Sequence, residues 1–271
     1  MVSFRKMHGL GNDFVIIDAR EHDLDLTQEI VRDICDRHFG VGCDQLVVLE
    51  KPLAPADVKV VFYNSDGSTS GACGNATRCV AEVILTETGA QRCVIETQGG
   101  DLHAWRADGG MISVDMGLPR LEWADIPLAH ACDTLHLPLD GDPVAVGMGN
   151  PHCVFFAADS FGDDYVEKHG SGIETNALFP ERTNVEFVQV VGINKLQQKT
   201  WERGAGITLA CGTGACSVAV AAARRGLVDR AVPIEIGLDG GALYIEWRES
   251  DDHVIMTGPV AHVFDGILKD I

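Results

Sequence analysis

The sequence predicts an α+β protein of two homologous, pseudo-twofold halves, each a mostly antiparallel sheet wrapped around a central helix. Three observations carry this. Short apolar runs of strand length alternate with Gly-rich turns along much of the 271 residues. Two helical segments each follow the tripeptide Ala-Cys-Gly, at 72–74 and 210–212. Two separate motifs also recur at one offset: Gly147, Gly149 and Asn150 repeat Gly9, Gly11 and Asn12 after 138 residues (147 against 9), as Ala210-Cys211-Gly212 repeats Ala72-Cys73-Gly74. A tripeptide match arises by chance, but two motifs sharing one offset and one helix placement indicate an internal repeat. The halves are assigned to 1–120 and 121–260, with the tail 261–271 packing back on the first.

The elements follow in order. FRKMHGLGNDFVIIDAR is a glycine turn leading into the apolar strand Phe14–Asp18. Its G-L-G-N lacks the third glycine and the following helix of a dinucleotide fingerprint. Thr27–His38 places Ile30, Val31, Ile34 and Cys35 on one helical face, with Gly40 beyond its end. Strands are expected at Gln45–Glu50 and Val58–Tyr63, a helix from about Asn75 to Glu87, then strands at Cys93–Thr97, Leu102–Arg106 and Met111–Met116. The second half opens with a Pro-containing lead-in and a strand at Val144–Met148. A segment at Tyr165–Asn176 maps onto the first helix. Thr213 is the expected N-cap of the final helix, whose Arg224 and Arg225 precede Gly226 as a helix end prefers.

Composition narrows the function. Apolar content of 46% and charged content of 23% are those of a soluble globular chain, and no apolar run approaches a membrane span. A net charge of −19 argues against nucleic acid or an acidic membrane as partner. Nine cysteines, an odd number with no C-x-x-C pair and no export signal ahead of them, point to a reducing cytoplasm. The ten histidines form no H-x-x-x-H or H-E-x-x-H pattern, so no metal is expected.

Chemistry gathers at the repeated cysteines. A cysteine entering a helix lies beside backbone N–H groups and the positive end of the helix dipole, which favours anions and lowers a thiol pKa from about 8.5 toward neutrality. Two such helix ends facing a shared cleft would set two thiols on opposite faces of one carbon, with backbone groups of Gly74, Asn75, Gly212 and Thr213 holding a carboxylate. One thiolate removes a proton and the opposite thiol delivers one. That arrangement predicts an epimerase or racemase acting beside a carboxylate. A redox-active or merely binding thiol protein is the competing reading, although redox pairs usually lie close in sequence.

The residues resemble those of the diaminopimelate epimerases over essentially the whole chain: KMHGLGNDFVIID (6–18), GVGCDQLVVLE (40–50), YNSDGSTSGACGNATRCVA (63–81), MGNPHC (148–153), ERTNVEFVQV (181–190), WERGAGITLACGTGAC (201–216) and MTGP (256–259). The resemblance implies a homodimeric, cofactor-independent isomerase of lysine and peptidoglycan precursor synthesis that interconverts LL- and meso-2,6-diaminopimelate. It further implies that Cys73 and Cys211 are the acid–base thiols, supported by His152 and Glu202. Asn12, Gln45, Asn64, Gly74, Asn75, Asn150, Asn184, Glu202, Arg203, Gly212 and Thr213 become substrate contacts. Arg203 suits a distal carboxylate best, since its fork of donors matches that group. A proline- or hydroxyproline-type racemase of the same fold is the alternative, but its substrate would leave Asn64, Asn184 and Arg203 nothing to bind. The chain reads Cys73-Gly74-Asn75-Ala76-Thr77-Arg78 where relatives commonly have C-G-N-G-A-R, and Cys43 stands where a larger apolar residue is usual. Cys43 and the other six cysteines read as core residues.

Overall fold

The opening glycines form a hairpin turn that sets the first candidate residue in place. In the computed structural model, which describes residues 1–22, 24–53, 55–71, 73–157 and 161–269, β1 (Val2–Gly9) pairs antiparallel with β2 (Asn12–Asp18). Leu10 and Gly11 between them lie at φ +57° and +86°. Two consecutive positive φ values are what a tight hairpin of matching twist requires. A Cβ on Gly9 would stand 3.0 Å from Arg78 Nη2 and 3.4 Å from Asn75 Cβ, so this glycine also leaves room for a helix packed on the hairpin. The sequence reading begins its strand only at Phe14 and omits β1.

The chain divides into two compact units, Met1–Val114 with Gly258–Ile271, and Asp115–Thr257. The first continues with α1 (Gln28–Cys35), β3 (Gln45–Glu50), β4 (Val58–Asn64), β5 (Thr69–Ser70), α2 (Gly74–Thr88), β6 (Arg92–Thr97), β7 (Gly100–Arg106) and β8 (Ile112–Asp115). α1 stops three residues short of the expected His38. Asp36 turns the chain out of the helix, and its carboxylate accepts from the His38 and Phe39 amides, each at 2.7 Å. β2 pairs parallel with β3, β3 antiparallel with β4, and β4 antiparallel with β5 and parallel with β6. The antiparallel pairs β6–β7 and β7–β8 complete the set.

The second unit contains β9 (Val144–Gly147), β10 (Pro151–Ala157), α3 (Asp163–Glu174), β11 (Asn184–Gly192), β12 (Lys195–Glu202), β13 (Gly206–Ile207), α4 (Gly212–Arg224), β14 (Ile234–Leu238), β15 (Gly241–Trp247) and β16 (Val254–Gly258). Its strand pairings reproduce those of the first unit one for one. β9 is antiparallel to β10, β10 parallel to β11, β11 antiparallel to β12, and β12 antiparallel to β13 and parallel to β14. β14, β15 and β16 then run antiparallel. α4 packs against β9 to β12 and β14 to β15, and its alanines at 215, 219, 221 and 222 are fully buried. Small side chains let sheet and helix approach closely from several sides at once. The α+β class and the repeat are therefore both present in the strand pairing itself.

The last strand, β17 (Ala261–Leu268), pairs antiparallel with β1. Opposite Phe4 stands Gly266, and a Cβ there would lie 2.4 Å from Phe4 Cζ. The Phe4 ring is buried, in edge-on contact with Phe264 at 6.0 Å, and cannot withdraw without disturbing the core. Gly266→Val is expected to cost about 1–3 kcal/mol of stability, read as a lower urea midpoint with an unchanged slope.

Candidate active site

In each unit the same four structural positions converge: the start of the second strand, the start of the third, the end of the fourth, and the residue entering the buried helix. In the first unit these are Asn12, Gln45, Asn64 and Cys73. Register explains part of the grouping, because Gln45 is paired directly with Asn64 across β3 and β4. Gln45 Nε2 donates to Asn64 Oδ1 at 2.9 Å, and Asn64 Nδ2 donates to Ser68 Oγ at 3.0 Å. Asn12 Oδ1 accepts from Asn75 Nδ2 at 3.1 Å and lies 4.0 Å from Cys73 Sγ. Its amide nitrogen donates to Asp44 Oδ2 at 2.8 Å. Cys73 is the half-buried residue before α2, and Gly74 and Asn75 form the buried start of the helix. Ala72 lies outside the described residues.

Equivalent positions of the second unit carry Asn150, Asn184, Glu202 and Cys211. Asn184 is buried and pinned at both ends of its amide: Nδ2 donates to the Pro151 carbonyl at 3.0 Å, and Oδ1 accepts from the Arg203 amide at 3.0 Å. It therefore ties β10, β11 and the end of β12 together. Glu202 Oε1 accepts from the Thr208 hydroxyl. His152, wholly buried, bonds Asn150 Oδ1 through Nε2 at 2.9 Å and Glu186 Oε1 through Nδ1 at 2.7 Å. Arg203 Nη1 donates to the Glu181 carbonyl at 2.9 Å. Gly212 is the buried first residue of α4, and Thr213 follows it half-buried.

Two expectations at α4 are corrected. Thr213 does not cap the helix. Cys211 does, its sulfur accepting from the Gly214 amide at 3.3 Å while Thr213 Oγ1 stands 3.6 Å from the same sulfur. Nor is the Cys211 thiol pulled toward neutrality. Burial pushes its pKa well above the ordinary thiol value, and the negative charges of Glu202 and Glu186 push the same way. The Thr213 and Gly214 hydrogen bonds offset only part of this. A helix end acts over its first turn, whereas withdrawal from water with two carboxylates nearby penalises a thiolate more strongly. Cys211 is thus held as a thiol rather than a thiolate.

Sequence reasoning missed Glu186, fully buried near the start of β11. A single carboxylate inside the apolar run NVEFVQV is the signal that would have found it. It crowds Gly214 so closely that a Cβ there would lie 2.8 Å from its Oε1. It missed Asp44 too, which supports Asn12, and Arg120. The Arg120 backbone bridges to Gly147 by bonds of 2.8 and 2.9 Å, and its stem lies 3.0 Å from where a Gly147 Cβ would be. A cavity of about 270 Å³ within this unit is lined by Arg120, Asp125, Asn150, Pro151, Glu181 and Arg203. Guanidinium and carboxylate groups around one cavity suit a ligand end bearing both an ammonium and a carboxylate. Among the described residues no three His, Cys, Asp or Glu side chains cluster as a metal site.

The profile of the family described as "Diaminopimelate epimerase" matches residues 4–122 and 144–263, one stretch for each repeat. The diaminopimelate epimerase of Gluconobacter oxydans (strain 621H) is 53% identical over 267 residues, covering 98% of both chains. Among solved structures, the phenazine biosynthesis protein of the PhzF family from Bacillus anthracis superposes with a TM-score of 0.70 at 16% identity, over 99% of each chain. A hydroxyproline epimerase from Agrobacterium vitis superposes at 0.68 with 11% identity, over 98% of this chain and 91% of that one. Those two share the fold. By its family profile and its identity to curated relatives, this chain belongs to the diaminopimelate epimerase family.

Proposed function

We propose that the protein interconverts LL- and meso-2,6-diaminopimelate by moving a proton at the α-carbon between two cysteines. The observation that carries this is the placement of Cys73 and Cys211 at equivalent helix entrances of two repeats with identical strand pairing, in a chain of this family. One cysteine as thiolate removes the α-proton and the other as thiol supplies a proton from the opposite face, so their roles exchange with the direction of reaction. The first-turn N–H groups at Gly74-Asn75 and Gly212-Thr213 bind the reacting carboxylate and stabilise the charge that builds on it as the carbanion forms. Asn64, Asn184 and Arg203 receive the distal amino-acid end, and this is what separates the substrate from a single-carboxylate imino acid. Asn12, Gln45 and Asn150 orient the reacting end, while His152 and Glu202 support the thiols.

The two repeats act as the two halves of one enzyme, and the protein works as a cytoplasmic homodimer on a small molecule without a cofactor. The odd cysteine count supports the compartment, and no helix among the described residues is long and apolar enough to cross a membrane. The test is uptake of solvent deuterium at the α-carbon of LL- and meso-diaminopimelate, with proline and hydroxyproline as controls. Exchange with both diaminopimelate isomers and none with the imino acids is expected. Absence of exchange with diaminopimelate would reject the proposal.

A further inference from the structure

A second pair of thiols lies outside these residues. Cys35 ends α1 and Cys43 opens the segment leading into β3, and the Cys43 thiol donates to Cys35 Sγ at a sulfur–sulfur distance of 3.4 Å. Backbone bonds hold the two facing one another: the Cys43 amide donates to the Cys35 carbonyl at 3.2 Å, and the Val41 and Gly42 amides both donate to the Ile34 carbonyl at 3.0 Å. The Lys6 ammonium donates to the Gly42 carbonyl beside Cys43 and to Asp13. The hydrogen bond from Cys43 draws the Cys35 pKa below the ordinary thiol value, against its burial and with help from Lys6, whereas Cys43 is driven upward. The pair is therefore split into a nucleophilic sulfur and a protonated neighbour, as a dithiol needs for stepwise oxidation. Both cysteines are buried, yet the chain joining them is exposed at 36–40. Opening of the chain at 36–40 is the route by which an oxidant would reach the pair, which is packed among Val31, Ile34 and Leu46.

We propose that Cys35 and Cys43 form a redox dithiol, distinct from Cys73 and Cys211, which a hydroperoxide converts to an intramolecular disulfide that disturbs the support of Cys73. The Cys35 thiolate attacks the peroxide, breaking its O–O bond and becoming a sulfenic acid while hydroxide or alkoxide leaves. The Cys43 sulfur then attacks Cys35 Sγ, forming the S–S bond and expelling water. Two thiols have lost two electrons and two protons, and the peroxide has been reduced by the same count. Bond formation draws the sulfurs from 3.4 Å to about 2.05 Å. The displacement falls on the residue before Asp44, whose carboxylate holds Asn12 Nδ2 at 2.8 Å and the Asp13 amide at 3.0 Å. Asn12 is the residue whose side-chain oxygen lies against Asn75 and Cys73. The effect on turnover rests on the proposed epimerase activity, whereas the cross-link itself does not.

The experiment treats the full-length protein with hydrogen peroxide, blocks remaining thiols, and maps tryptic peptides while following epimerisation. Cleavage after Arg37 separates the cysteines, so the disulfide joins peptide 33–37 to peptide 38–59. The linked pair is expected to appear with a loss of activity that dithiothreitol restores, and that part of the loss is expected to vanish in Cys35→Ser. Cys43→Ser serves as the second variant, with the thermal midpoint of each compared with wild type to show that it folds. No linked pair under conditions that oxidise Cys73 or Cys211 overturns the site. A linked pair with activity lost equally in wild type and both variants overturns its coupling to Cys73. Wild-type protein with no epimerase activity would reject the functional reading while leaving the cross-link result decisive for the dithiol.

Discussion

Cys211→Ala is expected to lower epimerisation by about 10²–10⁴-fold, the range typical for loss of a positioned acid–base group. The helix should survive the change. Losing the thiol removes the acceptor for the Gly214 amide, and loss of an N-cap side chain costs about 0.5–2 kcal/mol. The sharper outcome concerns exchange. With one cysteine left, a proton is removed and returned on the same face, so one isomer exchanges its α-hydrogen with deuterium without inverting. Cys73→Ala and Cys211→Ala should therefore retain exchange for opposite isomers. Either variant epimerising at near wild-type rate would reject the two-base scheme. The same exchange pattern in both would show that the thiols do not address opposite faces.

A second large effect is expected at the buried pair behind Cys211. His152 and Glu186 have no exposed side-chain surface, and Nδ1 of the one lies 2.7 Å from Oε1 of the other. His152→Ala leaves the carboxylate buried without it, a change that typically costs about 3–5 kcal/mol. Removing both polar ends together, as His152→Leu with Glu186→Leu, should be far milder than the sum of the single changes, because neither member of the pair is left buried opposite a missing partner. Urea midpoints of the two single variants and the double variant measure the coupling directly. Additive losses would show that the contact contributes little. The double variant should remain impaired in turnover even where it folds, since Glu186 also sets the charge environment of Cys211. Recovery of both stability and full activity would remove the pair from the site.

Much of the fold was legible because the repeat is written into the sequence. Asn12 and Asn150, and Cys73 and Cys211, share an offset, and the structure places each pair on equivalent strand starts and helix entrances. Strands with clear local boundaries were legible as well, such as Gln45–Glu50. The sequence reading gives no strand at Pro151–Ala157, Asn184–Gly192 or Lys195–Glu202, and these pair in succession within the second unit. β10 is held by a parallel partner, β11, whose residues lie more than thirty positions away. Periodicity within a short apolar run does not reveal such a partner.

The sequence by itself singled out the candidates for the chemistry: two cysteines at helix entrances, a set of amides beside glycine turns, and Arg203. Those choices depend on local backbone demands and side-chain type, which neighbouring residues record. Tertiary structure decided the state of the groups. Cys211 is a raised, protonated thiol rather than a lowered one because burial and the charges of Glu202 and Glu186, brought from two strands, outweigh the helix end. Cys35 and Cys43 are core residues as expected, but only the folded chain sets their sulfurs 3.4 Å apart as a pair. Protonation and pairing depend on distance and exclusion of water, and neither quantity exists until the strands have packed.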